Sequence, residues 1–373
     1  MTTLGFLARE NLDRLLTALR ASGYRCVGPM VLDGAIQYCD LPNAQSLPSG
    51  CRDSQAPGRY RLDHTDTSRQ FAWANGPQAI KPFLFAPRET LWCVERDARE
   101  ALTFKTVSPE SQALAVIGVR ACDLAALRLQ DAHFLQGLNR DVQYAARREG
   151  MFLVAVNCTH PAATCFCVST GDGPEVPEAT GTNAGCDLIL DELDDGFILH
   201  SASERGASVA GQLELAPVTP EQQTVVAQQR QQARAVQKRS LPARDLRPML
   251  DKRLEHPRWV EVAGRCLSCG NCTSVCPTCF CYSEQEQPLL DGSGSTHARV
   301  WDSCFTQGHS YIHGITIRAD TRLRYRQWLT HKLAAWHDQY GRSGCVGCGR
   351  CISWCPVGID ITEEVAALAA SPT

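Results

Sequence analysis

Two cysteine runs of the same order dominate the sequence: Cys266-Leu-Ser-Cys269-Gly-Asn-Cys272-Thr-Ser-Val-Cys276-Pro277 and Cys345-Val-Gly-Cys348-Gly-Arg-Cys351-Ile-Ser-Trp-Cys355-Pro356. Both read C-x2-C-x2-C-x3-C-P, the spacing that holds [4Fe–4S] clusters. Three thiolates on one tight loop reach three irons of a cubane, and the fourth, ahead of the proline, serves the other cubane. The pattern therefore predicts one cluster on Cys266, Cys269, Cys272 and Cys355, and a second on Cys345, Cys348, Cys351 and Cys276. Gly270, Gly347 and Gly349 are expected to let backbone approach the sulfides and donate hydrogen bonds. Paired C-x2-C spacings also suit zinc. Two complete copies, each ending in C-x3-C-P, argue for iron–sulfur ligation instead.

Twenty cysteines would fit either a disulfide scaffold or a metalloprotein. At 373 residues the chain is far larger than disulfide scaffolds are, and it has room for two or three domains. Its start, Met1-Thr-Thr-Leu-Gly-Phe-Leu-Ala-Arg-Glu, lacks the basic-then-apolar order of a signal peptide, so a reducing, cytoplasmic location is expected. A net charge of −3 gives no reason to expect nucleic acid as a partner. No apolar run approaches a membrane span.

Along the chain, Phe6, Leu12, Leu15, Leu16 and Leu19 recur at helical steps and predict an opening helix closed by Gly23. The Pro- and Gly-rich stretch 28–57 reads as loops and short strands. Leu114–Val119 and Met151–Val156 are buried-strand runs around a helix expected to start at an Asp123 cap, a β-α-β order that predicts a parallel sheet. Leu188-Ile-Leu and Phe197-Ile-Leu are further strand candidates. The expected fold is an α/β domain over 1–215, then a helical linker over 216–257 opened by Thr219-Pro220-Glu221-Gln222, then a mostly α-helical domain over 258–373 holding the two clusters. Residues 277–344 are expected to be mostly helical, with Tyr325, Trp328, Leu329, Leu333 and Trp336 as a packing stripe ending at Gly341. Arg318, Arg322, Arg324 and Arg326 run through it and are candidates for raising a cluster's potential.

Four more cysteines suggest a third cluster. Cys122 follows the first buried strand; Cys158, Cys165 and Cys167 follow the next, where α/β sheets place their sites. A position at the edge of the sheet is expected, and buried structural thiols are the alternative. Thr164-Cys-Phe-Cys167 recurs as Thr278-Cys-Phe-Cys281, and Cys279, Cys281 and Cys304 are expected to pack beside the first cluster. Cys26, Cys39, Cys51, Cys93 and Cys186 have no motif around them. His309 and His313 lack the H-E-x-x-H order and predict no metal site. No dinucleotide loop or hydrolase constellation is present, which argues against a self-contained FAD-binding flavoenzyme and predicts no catalytic residue.

On Gly118-Val-Arg-Ala-Cys-Asp-Leu124, Thr164-Cys-Phe-Cys167, Trp259, Cys276-Pro-Thr-Cys-Phe-Cys281, Trp301-Asp-Ser-Cys304, His331-Lys-Leu333 and the second cysteine run, the chain resembles the iron–sulfur beta subunit of soluble NAD(P)-linked nickel–iron hydrogenases, the sulfhydrogenase type. It is equally similar to the corresponding subunit of anaerobic sulfite reductase, which has the same layout. Ala121 stands where that family often has proline. The resemblance implies a dicluster ferredoxin-like C-terminal domain and a non-catalytic electron-transfer subunit. Its partners would be a flavin diaphorase subunit handling NAD(P)H, and either a nickel–iron hydrogenase or a sirohaem sulfite reductase.

Overall fold

The computed structural model describes residues 2–108, 112–177 and 185–370. The runs Leu114–Val119 and Phe152–Val156 pair in parallel as adjacent central strands of a seven-stranded sheet. Across the sheet the order is Thr2–Ala8, Gly196–Ser201, Leu188–Glu192, Phe152–Val156, Leu114–Val119, Arg25–Leu32, Ala35–Asp40. The middle four strands are parallel, and the outer ones are antiparallel to their neighbours.

Alternation along the central strands sorts their side chains between two cores. Ile117, Val154 and Val156 pack under the Leu12–Ala21 helix with Leu12, Leu15 and Leu19. Val116, Leu153 and Ala155 pack on the other face under Leu124, Leu127, Phe134 and Tyr144, from the Ala121–Leu135 and Val142–Glu149 helices. Neighbouring strands are joined by helices of this kind because a parallel pair needs a crossover.

Three expectations are corrected here. Phe6 belongs to a strand, because Thr2–Ala8 pairs antiparallel with Gly196–Ser201, and the opening helix begins only at Leu12. Arg120, not Asp123, is the residue before the Ala121–Leu135 helix; Asp123 is buried in its first turn. Residues 277–344 are only partly helical. Tyr282–Pro288 and Gly294–Trp301 form a hairpin, and its second strand pairs with Arg88–Arg96. Leu102–Thr106 completes this four-stranded antiparallel sheet. A buried Arg299 fixes the join, with Nη2 2.6 Å from Glu89 Oε2 and Nη1 on Asp141.

The helical remainder behaves as read. Thr219 and Gln222 cap the Pro220–Ala235 helix reciprocally. The aromatic stripe of the Thr321–Thr330 helix continues through a π-helical turn at His331–Ala335 and a final turn to Tyr340, and Gly341 follows at φ +73°. Its side chains bury against Trp259, Val262, Ile359 and Val365. No helix of the described residues is long and apolar enough to cross a membrane.

Candidate metal centres

The structure brings the two cysteine runs side by side. Cys266, Cys269, Cys272 and Cys355 line one cavity, which Cys351 also reaches, walled by Leu267, Phe305, Tyr325 and Ile359. Burial raises the Cys272 thiol well above its ordinary range, and the charges of Cys304, Cys266, Cys355 and Cys269 raise it further. Backbone amides already face two of these sulfurs: Ser268 N–H donates to Cys266 Sγ at 3.5 Å and Ile359 N–H to Cys355 Sγ at 3.3 Å. Such donors stabilise thiolate charge and tune a cluster.

Cys276 leaves this group for the other. Burial first, then Cys345, Cys348 and Cys276, raise the Cys351 thiol. Lys332 Nζ lies 3.4 Å from Cys276 Sγ and 2.9 Å from Thr278 Oγ1, and no carboxylate pairs with it among the described residues. At 4% exposure this ammonium is desolvated, and the sulfurs are its compensating anions. The two groups adjoin, since the charge of Cys272 also reaches Cys351.

Cys122, Cys158, Cys165 and Cys167 also converge, over the C-terminal ends of the central strands from which both segments leave. Burial raises Cys165 well above its range, followed by Cys167, Cys158 and Cys348. Cys122 is raised by burial first, and Cys348 and Cys167 contribute. Cys165 Sγ sits 3.7 Å from the Cys348 carbonyl oxygen, so this group abuts the second one.

The Gly347 amide faces the Cys345 sulfur, as expected of the glycines in the second run, and two of these glycines also admit a further stretch of backbone. A Cβ on Gly349 would lie 2.5 Å from Thr164 O, and one on Gly347 would lie 2.6 Å from Cys167 Cα. Both glycines admit the Thr164–Cys167 backbone, which bonds through Phe166 N–H to Gly347 O at 2.8 Å.

Among the described residues no three His, Cys, Asp or Glu side chains close to the spacing of a single-ion site. A cubane spreads its four thiolates over four irons. Sets of four thiolates fit that group by donor chemistry.

Cations near the sulfurs are not those expected. Arg324 is buried but spends its donors on the carbonyls of Arg318, Phe305 and Ala319. Arg322 and Arg326 pair with Glu255 at the surface. Only Arg318 reaches a cysteine, weakly lowering Cys304. The facing cations are Lys332, Lys81, Arg350 and Arg120. Arg120 is 3% exposed, stacks over Trp73 at 4.5 Å and donates from Nη2 to Phe71 O and Trp73 O. Among the described residues its Nε and Nη1 have no partner, and its charge lowers Cys158. An orphaned buried guanidinium beside four thiols fits a site built for an anionic group. Gln237, beyond the end of the linker helix, also touches a sulfur, with Nε2 3.3 Å from Cys167 Sγ. Single lysines and a glutamine carry no spacing signal, so a sequence reading passes over them.

Residues 265–359 match the 4Fe-4S dicluster domain. This match covers the C-terminal part of the chain. It spans all eight cysteines of the two crossed groups. The chain is also 29% identical over 293 residues to sulfhydrogenase 2 subunit beta of Pyrococcus furiosus, an alignment covering 76% of this chain and 82% of that protein. No solved structure matches the chain. The third cysteine group lies outside this match but touches the matched segment through Cys348.

Proposed function

We propose that this chain is a non-catalytic electron-relay subunit of an oxidoreductase complex, passing electrons between a flavin diaphorase subunit that handles NAD(P)H and a nickel–iron hydrogenase. In this reading Cys266, Cys269, Cys272 and Cys355 hold one [4Fe–4S] cluster and Cys345, Cys348, Cys351 and Cys276 a second. Cys122, Cys158, Cys165 and Cys167 hold a third. Bound clusters of this kind supply one-electron chemistry.

The observation that carries the relay is the row formed by the three cysteine groups. Cys272 acts on Cys351, and Cys348 adjoins Cys165, so the second group stands between the first and the third. The protein's own contribution is electrostatic. Lys332 opposes the charge of the middle group and Arg120 that of the third, while amides of Ser268 and Ile359 serve the first. Apolar side chains of Tyr325, Trp328 and Ile359 wall the first group, which meets solvent at the exposed Cys269.

The hydrogenase partner is supported by the likeness to a sulfhydrogenase beta subunit. Purifying the complex anaerobically from its source tests it. Co-purifying nickel and flavin are expected. Sirohaem in their place would transfer the relay to a sulfite reductase, and H2 oxidation by the isolated chain would overturn the relay itself.

A further inference from the structure

Cys279, Cys281 and Cys304 remain outside the three groups. Cys304 lies beside the first, where its charge adds to burial in raising the Cys272 thiol. Cys279 lies instead against Cys276 of the second group, and the two sulfurs hydrogen bond each other. A ligand thiolate at Cys276 has no proton to give, so the Cys279 S–H is the donor. Lys332 Nζ meets the same Cys276 sulfur at 3.4 Å. Thr278 Oγ1 donates to Gly344 O at 2.8 Å and accepts from the Lys332 ammonium at 2.9 Å, which aims that ammonium at Cys276.

A second ammonium comes from the α/β half of the chain. Lys81 opens the short Lys81–Leu84 helix and is 7% exposed. Its Nζ donates to Cys276 O at 3.2 Å and to Ser274 O at 3.4 Å, and stands 3.8 Å over the Trp301 ring. Among the described residues no carboxylate pairs with it; the groups that oppose its charge are Cys279, Cys276 and Cys281, while Lys332 repels it. Two desolvated ammoniums that repel each other need an anion facing both, and a cluster-bound Cys276 supplies one. The other groups are met more sparsely, the first by the Ser268 and Ile359 amides and the third by Arg120 and Gln237.

We propose that Lys81, Lys332 and the Cys279 thiol are positioning residues that act through Cys276 to make the second cluster the site of highest potential in the row. The inference rests on the relay reading. A hydrogen bond to a ligand sulfur and positive charge beside a cluster both favour its reduced, more anionic state. Burial strengthens each effect, because the charges act through protein rather than water. An electron given up by the first or the third cluster oxidises that cluster by one and reduces the second by one. It then rests in the middle of the row until a partner draws it on. Cys279 keeps its proton throughout and binds no iron.

The test uses the full chain, reconstituted anaerobically, with iron counted and midpoints read from EPR-monitored titrations. In wild type one cluster should titrate above the others, and Cys345→Ala, which strikes the second group, should delete that signal. Cys279→Ala should keep all the iron and lower that midpoint alone, by about 59 mV if the reduced state is disfavoured tenfold. Cys279→Ser restores a donor and should recover part of the loss. Lys81→Met should lower the same midpoint, and Lys81→Arg should return it towards wild type. Loss of about four irons in Cys279→Ala would make Cys279 a ligand and overturn the assignment. So would a Cys279→Ala midpoint at the wild-type value, or deletion of a lower-potential signal by Cys345→Ala. Failure of the relay reading is separately visible, as an iron count insensitive to Cys345→Ala.

Discussion

Arg350 and Asp123 form a two-pronged buried ion pair, with Nη1 to Oδ1 at 2.8 Å and Nη2 to Oδ2 at 3.1 Å. Arg350 precedes Cys351 of the dicluster domain, and Asp123 follows Cys122 of the α/β domain. The pair therefore pins the second cysteine group to the third.

Removing one partner leaves the other charge buried and unmatched. Arg350→Met is expected to destabilise the protein by about 3–5 kcal/mol, whereas Arg350→Met combined with Asp123→Leu recovers most of that. Urea unfolding of the two variants checks this. Equal losses in both would show that the charge pairing is not what holds the contact.

Crossed ligation makes a prediction about additivity. Cys266→Ala and Cys355→Ala strike the same cluster, so the pair together should remove no more iron than either alone, about four atoms. Cys266→Ala with Cys345→Ala strikes two clusters and should remove about eight. Iron analysis of reconstituted variants would refute the crossing if Cys266 and Cys355 behaved as independent sites.

Lys332 should set the potential of the second group. Lys332→Met removes a positive charge 3.4 Å from Cys276 Sγ and so disfavours the reduced, more anionic state. The midpoint is expected to fall by on the order of 60 mV, a tenfold change for one electron. An EPR-monitored titration measures it. Lys332→Arg should restore much of the wild-type value, which a purely structural role would not predict.

Cys165→Ala with Cys167→Ala is expected to remove about four irons and spare the dicluster signals. Arg120→Gln should leave the iron in place and lower the midpoint of that third cluster alone. A third midpoint unmoved by Arg120→Gln would detach the orphaned guanidinium from the site.

His133 gives a pH signature. It stacks on Phe280 at 3.5 Å between ring centroids and meets Tyr340 Oη at 2.8 Å; burial pushes its imidazole down to about 4. The folded state thus favours the neutral ring. Its stabilisation is complete above the unfolded value of about 6.5 and declines as pH falls from there towards 4. With partial exposure screening the effect, about 1–2 kcal/mol should be lost across that window. The melting-temperature difference between wild type and His133→Phe, followed from pH 8 to pH 4.5, should shift in favour of the variant on acidification.

Much of this was readable in the residues themselves. Cysteine spacing carries its own geometry, so the crossed assignment is an expectation that rests on the residues alone. The apolar runs at Leu114–Val119 and Phe152–Val156 read as buried strands because both faces of the sheet are covered. Tyr282–Pro288 was hidden because its Ser, Glu and Gln residues are mostly exposed, and a distant strand, not its own pattern, holds the hairpin in place. Phe6 misled because it stands among apolar residues six positions ahead of Leu12, while its neighbour Leu7 is the buried one in the strand. The arginines drew attention by number, yet Lys81 and Lys332 face the sulfurs. Charge near a buried thiol is a property of the fold, and local sequence does not encode it.

The sheet that unites Arg88–Arg96 with Gly294–Trp301 also governs how such a chain comes into being. During synthesis the earlier strand emerges about two hundred residues ahead of its mate, with one edge bare. The scaffold cannot finish folding until the first cysteine run has left the ribosome, and the second run follows soon afterwards. Closing so long a loop is slow, which leaves a period when thiols are accessible and the hairpin is unzipped. Iron and sulfide delivery fits that period, and a truncated α/β half made alone should be prone to aggregate along the strand whose partner never arrives.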